Sequence, residues 1–162
     1  MSKKTGLLFV CMGNICRSPL AEAVFIHKAR ERGMLDRFEI DSCGTGGWHA
    51  GGPADPRSIA IGKKHGIEVA SIARQVDTAR DFKRFDLLLA MDRENRDDLI
   101  DLGADPARVR LMRSFDPSLT GTHERDLDVP DPYYGRDGSG FQRVYAMLDA
   151  ACEGLLDHLA GG

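Results

Sequence analysis

Two short apolar runs, "LLFV" at residues 7–10 and the core of "FDLLLAMD" at residues 85–92, carry almost no polar interruption and are too short to be helices. A strand reads this way when both of its faces are buried, which is the situation inside a parallel sheet covered by helices. Two further strand candidates fit the same pattern, "RFEIDSCG" at 37–44 and "ARVRLM" at 107–112. Helical stretches alternate with them. "PLAEAVFIHKARER", residues 19–32, sets Leu20, Ala23, Val24 and Ala29 near helical spacing. Pro19 suits its first turn, Ser18 its N-cap and Gly33 its stop. "PRSIAIGKKHG" predicts a helix closed by Gly66, "RENRDDLIDLG" a charged helix, and "FQRVYAMLDAACEGLLDHL" an amphipathic closing helix. "GTGGWHAGGPADP" is a loop by its five glycines and two prolines, and Ser114 to Gly140 reads as irregular. This alternation predicts one α/β domain over residues 1–162, a parallel sheet with helices on both faces. Ligands of such sheets sit at the carboxyl ends of the strands, near the switch in strand order.

Composition excludes several classes of function. With 42% hydrophobic and 29% charged residues the 162-residue chain is ordinary globular protein. A net charge of −3 argues against nucleic acid as the main partner, because a polyanion binder carries a basic surplus. No apolar run reaches the length of a membrane span. The start, "MSKKTGLLFVCM", lacks the apolar region and cleavage site of a secretion signal, so a cytoplasmic location is expected. Cys11, Cys16, Cys43 and Cys152 are too few and too scattered for a disulfide scaffold. The five histidines show no metal-ligand spacing, so neither a metal nor another cofactor is expected.

The end of the first strand carries the chemistry. "VCMGNICRSPLAE", residues 10–22, joins that strand to a helix through two thiols, a Gly-Asn pair and an arginine. As a loop it forms an anion cradle: the backbone N–H groups of Met12, Gly13, Asn14, Ile15, Cys16, Arg17 and Ser18 can converge on a phosphate at the positive end of the helix. Gly13 and Asn14 tolerate the left-handed conformations a tight ring needs. Arg17 adds a planar fork matching two phosphate oxygens. Cys11 falls at the centre, where helix N-termini and cations bring thiol pKa values down to about 3.5–7.5 and make a nucleophile. Cysteine is also common in buried strands, so Cys-x5-Arg alone says little; the strand before and the Arg-Ser-Pro helix start after it give the motif its context. The Walker pattern is absent, and Cys11 with Cys16 lacks the Cys-x-x-Cys spacing of a redox pair, although the two thiols are close enough in sequence to pair under oxidation. Cys16 packing under the loop as a small hydrophobe is the plain alternative.

A thiolate attacking an aryl phosphate needs a proton for the leaving phenolate, whose conjugate acid has a pKa of about 10. "DVPDPYYG", residues 128–135, offers Asp131 between two prolines that stiffen the backbone around it. Tyr133 and Tyr134 can wall a pocket and stack on an aromatic substrate, or can simply pack on the surface.

With both stretches in view the chain resembles the low-molecular-weight protein tyrosine phosphatases, bacterial members included. "CMGNICRSP" resembles the amino-terminal signature and "DPYYG" the acid loop, while "DSCGTGGWHAGGPADPR", "HGIEVASIARQV" and "FDLLLAMDRENRDDL" are similar to the stretches between. The resemblance covers nearly the whole chain. It implies a four-stranded parallel sheet and metal-independent hydrolysis of phosphotyrosine in proteins and of small aryl phosphates. By it, Cys11 is the nucleophile, Arg17 the phosphate clamp and Asp131 the general acid and later base. Asn14 holds the loop with Ser42 as partner, Ser18 donates to the thiolate, and Trp48, Tyr133 and Tyr134 form the pocket rim. Ser71 departs from the pattern, since several relatives place a loop-supporting histidine there. The partners implied are phosphotyrosine proteins, a tyrosine kinase among them. Two other readings compete: an arsenate reductase of the same fold, which needs further mid-chain cysteines, and a non-catalytic phosphotyrosine-binding module.

Overall fold

The computed structural model describes residues 3–135 and 139–161; positions 136–138, within the stretch expected to be irregular, lie outside the described residues, as do the first two and the last. Among the described residues four strands form one sheet: β1 (Thr5–Cys11), β2 (Phe38–Gly44), β3 (Leu87–Ala90) and β4 (Val109–Leu111). The α-helices described with them are α1 (Arg17–Glu31), α2 (Pro56–Lys64), the single turn α3 (Asp81–Arg84), α4 (Arg93–Asp101) and α5 (Ser139–Ala160). All strands run parallel in the order β2-β1-β3-β4. The chain leaves β1 toward β2 on one side and later returns to β3 on the other. The strand order therefore reverses at the carboxyl end of β1, where Cys11 stands, and this is where a doubly wound sheet opens a crevice.

Side chains of β1 alternate between two hydrophobic clusters, as the period of a strand requires. Leu7, Phe9 and Cys11 join Leu20, Val24 and Phe25 of α1 and Leu148, Cys152 and Leu155 of α5. Leu8 and Val10 face the other way, toward Phe85, Leu88 and Leu99. The alternation fixes Cys11 on the α1–α5 side, in line with the start of α1. Helices cover both faces, as the uninterrupted apolar runs imply. Among the described residues no helix is long and apolar enough to cross a membrane.

Three details differ from the sequence reading. The helix α1 begins at Arg17, with Cys16 in the N-cap position, so Ser18 lies inside the first turn and does not cap. The reason is that Cys16 already has αR dihedrals (φ −113°, ψ −78°), so the loop enters the helix earlier than Pro19 suggests. This frees the Ser18 hydroxyl to point into the loop. The irregular stretch after β4 contains short 3-10 turns at Met112–Phe115, Pro117–Leu119 and Glu124–Asp126. The "GTGGWHAGGPADP" loop also makes a local bridge, Pro53 to Ile72, flanked by Ala73 N–H donating to the Gly52 carbonyl at 2.8 Å.

Candidate active site

The loop from Cys11 to Arg17 is closed by its own sequence. Asn14 has φ 56°, the one non-glycine in the left-handed region among the described residues. Asparagine tolerates that region better than most side chains, and here the strain is offset by a fully used carboxamide. Its Oδ1 accepts the Arg74 backbone N–H at 3.0 Å. That fixes the amide orientation, so Nδ2 donates one hydrogen to Ser18 Oγ at 2.8 Å and one to Ser42 Oγ at 3.0 Å. Ser42 in turn donates to Glu22 Oε1 at 2.7 Å. Ser18 Oγ, already an acceptor from Asn14, lies 3.0 Å from Cys11 Sγ and 3.4 Å from the Cys43 carbonyl, so the sulfur is the nearer acceptor for its hydrogen. The Asn14 backbone N–H points at the same sulfur, at 3.3 Å. Two donors thus stabilise negative charge on Cys11, whose exposure is only 2%.

Outer anchors hold the ring open. The carbonyls of Cys11, Met12 and Ile15 accept from Thr45, Gly46 and Asp55 N–H groups at 2.9, 3.0 and 2.8 Å, and the Cys16 carbonyl accepts from Ser58 Oγ at 3.1 Å. The Arg17 and Ser18 amides that open α1 have no acceptor within the helix. Glycine is required beside the cradle: a Cβ on Gly44 would lie 2.6 Å from the Met12 carbonyl.

Arg17 is 3% exposed and held on two sides. Nη1 donates to Asp92 Oδ2 at 2.6 Å and to the Val129 carbonyl at 3.0 Å, while Nη2 stands 3.8 Å from Asp131 Oδ2. Burial works against its charge, but Cys11, Asp92 and Asp131 outweigh burial and hold the guanidinium above its ordinary pKa. The remaining Asp131 oxygen accepts the Tyr133 N–H at 3.0 Å, a local turn that presents the carboxyl group to the cradle.

One cavity of about 320 Å³ collects Cys11, Met12, Gly13, Ile15, Cys16, Arg17 and Asp131 at its base and Trp48, Tyr133 and Tyr134 at its mouth. Every residue expected to touch a phosphate ester through its side chain lines this one space. Asn14, Ser18 and Ser42 stand behind it as supports. Trp48 and Tyr134 are about three-quarters exposed, at 74% and 75%, and Tyr134 meets Tyr133 edge-on at 5.0 Å between ring centroids. Cys16 is a different thiol from Cys11: burial first, then Asp55, Asp131 and Cys11, push its pKa up to about 12. The Ser71 hydroxyl is buried beside Glu22 and lowers its pKa, while burial, the larger effect, raises it. Asn14 Oδ1 is served by the Arg74 backbone N–H and takes nothing from position 71. His49 also lines the mouth. No cluster of three or more His, Cys, Asp or Glu suited to a metal occurs among the described residues.

Sequence reasoning missed Asp92, Arg74, Glu22 and His49. Asp92 had a usable signal, since it lies two residues past β3 at the carboxyl edge of the sheet, where site residues gather. Arg74 acts through its backbone N–H, which no residue type announces.

Fold and site together define an α/β protein whose anion-binding loop is built around a cysteine. Known proteins narrow this further. The family model for low molecular weight phosphotyrosine protein phosphatase matches residues 6–161. The chain is 46% identical over 157 residues to low molecular weight protein-tyrosine phosphatase A of Mycobacterium tuberculosis, covering 97% of this chain and 93% of that one. It is 39% identical over 155 residues to the human low molecular weight phosphotyrosine protein phosphatase, with 93% of each covered. A crystal structure of a protein tyrosine phosphatase from Entamoeba histolytica, with Hepes in its active site, superposes with a TM-score of 0.88 at 40% identity, covering 98% of this chain and 99% of that one. The chain belongs to the low molecular weight phosphotyrosine protein phosphatase family.

The hub role of Asn14 is directly testable. Asn14→Ala strands the Arg74 N–H and removes the donor to the Ser18 and Ser42 hydroxyls, and should lower unfolding free energy by about 1–3 kcal/mol in denaturant titration. A wild-type midpoint would contradict the hub assignment.

Proposed function

We propose that this protein hydrolyses phosphotyrosine in proteins, and small aryl phosphates, through a phosphocysteine on Cys11. The observation that carries the proposal is the meeting of Cys11, Arg17 and Asp131 in one cavity, with the Asp131 carboxyl 3.8 Å from the guanidinium. The Arg17 fork and the loop amides hold the phosphoryl oxygens. The Cys11 sulfur attacks phosphorus in line, and the bond from phosphorus to the phenolic oxygen breaks. Asp131, in its acid form, gives its proton to that oxygen, so phenol leaves. As carboxylate it then takes a proton from water, whose oxygen attacks phosphorus. The phosphorus–sulfur bond breaks, inorganic phosphate departs and the Cys11 thiolate is restored. Trp48, Tyr133 and Tyr134 stack on the aromatic ring, which favours tyrosine over the shorter serine and threonine esters.

This reading takes residues 1–162 as one working domain in the cytoplasm, acting on phosphotyrosine proteins opposite a tyrosine kinase. An arsenate reductase cycle is less well supported. Cys43 and Cys152 are both fully buried, with thiols pushed up chiefly by burial, which disfavours the thiolate that a disulfide relay needs. A non-catalytic binding module has no need of the donors aimed at Cys11.

Turnover of p-nitrophenyl phosphate and of a phosphotyrosine peptide should persist in excess EDTA. Cys11→Ser should lower kcat by roughly a thousandfold or more while retaining phosphate affinity; substantial turnover in that variant, or arsenate reduction with thioredoxin in place of hydrolysis, would overturn the proposal. Asp131→Asn should slow esters with poor leaving groups far more than those with good ones, since acid assistance matters most there. Equal slowing across a leaving-group series would remove Asp131 from the acid role.

The same proposal gives Cys16 a protective part. Peroxide converts the Cys11 thiolate to a sulfenic acid; the Cys16 thiolate attacks that sulfur, and a disulfide forms with loss of the sulfenic oxygen as hydroxide. Because the Cys16 pKa stands at about 12, capping should be slow at neutral pH and speed up as pH rises. Dithiothreitol should then restore wild-type activity, and Cys16→Ser should be inactivated beyond recovery. Equal recovery of both would reduce Cys16 to packing.

A further inference from the structure

Arg57 has no part in the chemistry above, yet it joins both halves of the site. Asp55 N–H donates to the Ile15 carbonyl at 2.8 Å and so grips the phosphate-binding loop. The Asp55 carboxylate caps α2 by accepting the Arg57 N–H at 2.8 Å, and it takes Arg57 Nε and Nη2 at 3.0 Å each. This double contact fixes the plane of the guanidinium. The planar cation then lies against two aromatic rings, 5.4 Å from the centroid of Tyr133 and 4.7 Å from that of Phe141. Phe141 is 3% exposed and belongs to the first turns of α5, whereas Tyr133 is the second residue after Asp131.

The loop carrying Asp131 needs such a seat. Among the described residues the Val129 N–H ties it to the end of β3, donating to the Met91 carbonyl at 2.8 Å, and the Val129 carbonyl accepts from Arg17 Nη1 at 3.0 Å. Pro130 and Pro132 have no N–H to donate. The Tyr133 and Gly135 N–H groups bond within the loop, to Asp131 Oδ1 at 3.0 Å and to the Pro132 carbonyl at 3.2 Å. Local turns of this kind shape the segment without setting its direction relative to the cradle. Arg17 holds the near side of the loop through the Val129 carbonyl, and contact of Arg57 with Tyr133 holds the side beyond Asp131. Arg57 is already paired with Asp55, so its charge at the mouth is largely neutralised and substrate phosphate has Arg17 as its clamp.

We propose that Arg57 is a positioning residue for Asp131: seated between Tyr133 and Phe141 and locked by Asp55, it registers the acid loop against the loop that holds phosphate. The inference rests on the reading of Asp131 as general acid. Only a planar guanidinium can meet both Asp55 oxygens through two N–H groups while lying over the two rings, so lysine is a poor substitute here.

The test is a double-mutant cycle read as kcat/KM over a series of aryl phosphates of graded leaving-group pKa. Arg57→Ala should lower kcat/KM about tenfold for the poorest leaving group, part of what a general acid contributes, and little for the best. The inhibition constant of inorganic phosphate should stay at the wild-type value. Added to Asp131→Asn, the same substitution should change kcat/KM by less than about twofold, because the group it positions is gone. Arg57→Lys should resemble Arg57→Ala. Phe141→Leu, which removes one aromatic face and leaves the Asp55 pair alone, should give a smaller loss with the same leaving-group dependence. An equal factor in the wild-type and Asp131→Asn backgrounds would overturn the proposal, as would a phosphate inhibition constant rising in step with the loss. Were Asp131→Asn itself to show no leaving-group dependence, the acid reading of Asp131 would fall first; an intact Asp131 effect with no Arg57 effect would sink the positioning role alone.

Discussion

The carboxamide of Asn14 is the constraint on which the site depends. Its four hydrogen-bonding positions are two lone pairs on the oxygen and two hydrogens on the nitrogen. Once Oδ1 is occupied by the Arg74 N–H, both nitrogen hydrogens must go to Ser18 and Ser42. Ser18, filled as an acceptor, turns its own hydrogen toward Cys11, and Ser42 turns its hydrogen toward Glu22. A left-handed backbone at one residue, normally a cost, therefore sets the direction of a whole chain of donors that ends at the sulfur. Such a network is worth building only if every member is satisfied, because a stranded polar group in a buried site is costly.

Arg17 shows the same economy at higher charge. A buried guanidinium suffers a large desolvation penalty, and one ion pair rarely offsets it alone. Asp92 and the Val129 carbonyl fix Nη1 from outside, leaving Nη2 directed into the cavity toward Asp131. The fork is held before any phosphate arrives, so little ordering cost falls on binding. Asp92 also accepts the Asn95 N–H at 2.7 Å as the N-cap of α4, which ties the clamp to the element that follows β3.

Much of this was legible in the sequence, for identifiable reasons. The apolar run at Leu7–Val10 gives β1 and its two-sided burial, and that places Cys11 at the strand end without further help. Gly13-Asn14 and Arg17 signal the cradle because their chemistry is local to the loop. Ser42 is a long-range partner and came only through family resemblance. Ser18 was misplaced as an N-cap because hydroxyls suit that position in general, while here the loop had already entered helical geometry at Cys16. Asp92, Glu22 and the Arg74 N–H were not legible, since their roles arise from contacts across 75, 20 and 60 positions of chain. No local pattern encodes such pairings; the fold creates them.

The central claim is that the phosphoryl group passes through sulfur at the centre of this loop. It is tested most directly by quenching the protein in acid during turnover of a phosphotyrosine peptide and mapping the phosphoryl mass increment by peptide mass spectrometry. The account predicts the increment on Cys11, with none on Cys16 and none in Cys11→Ser. Phosphate found instead on Ser18 or Asp131, or turnover with no phosphorylated species at any time after mixing, would contradict it.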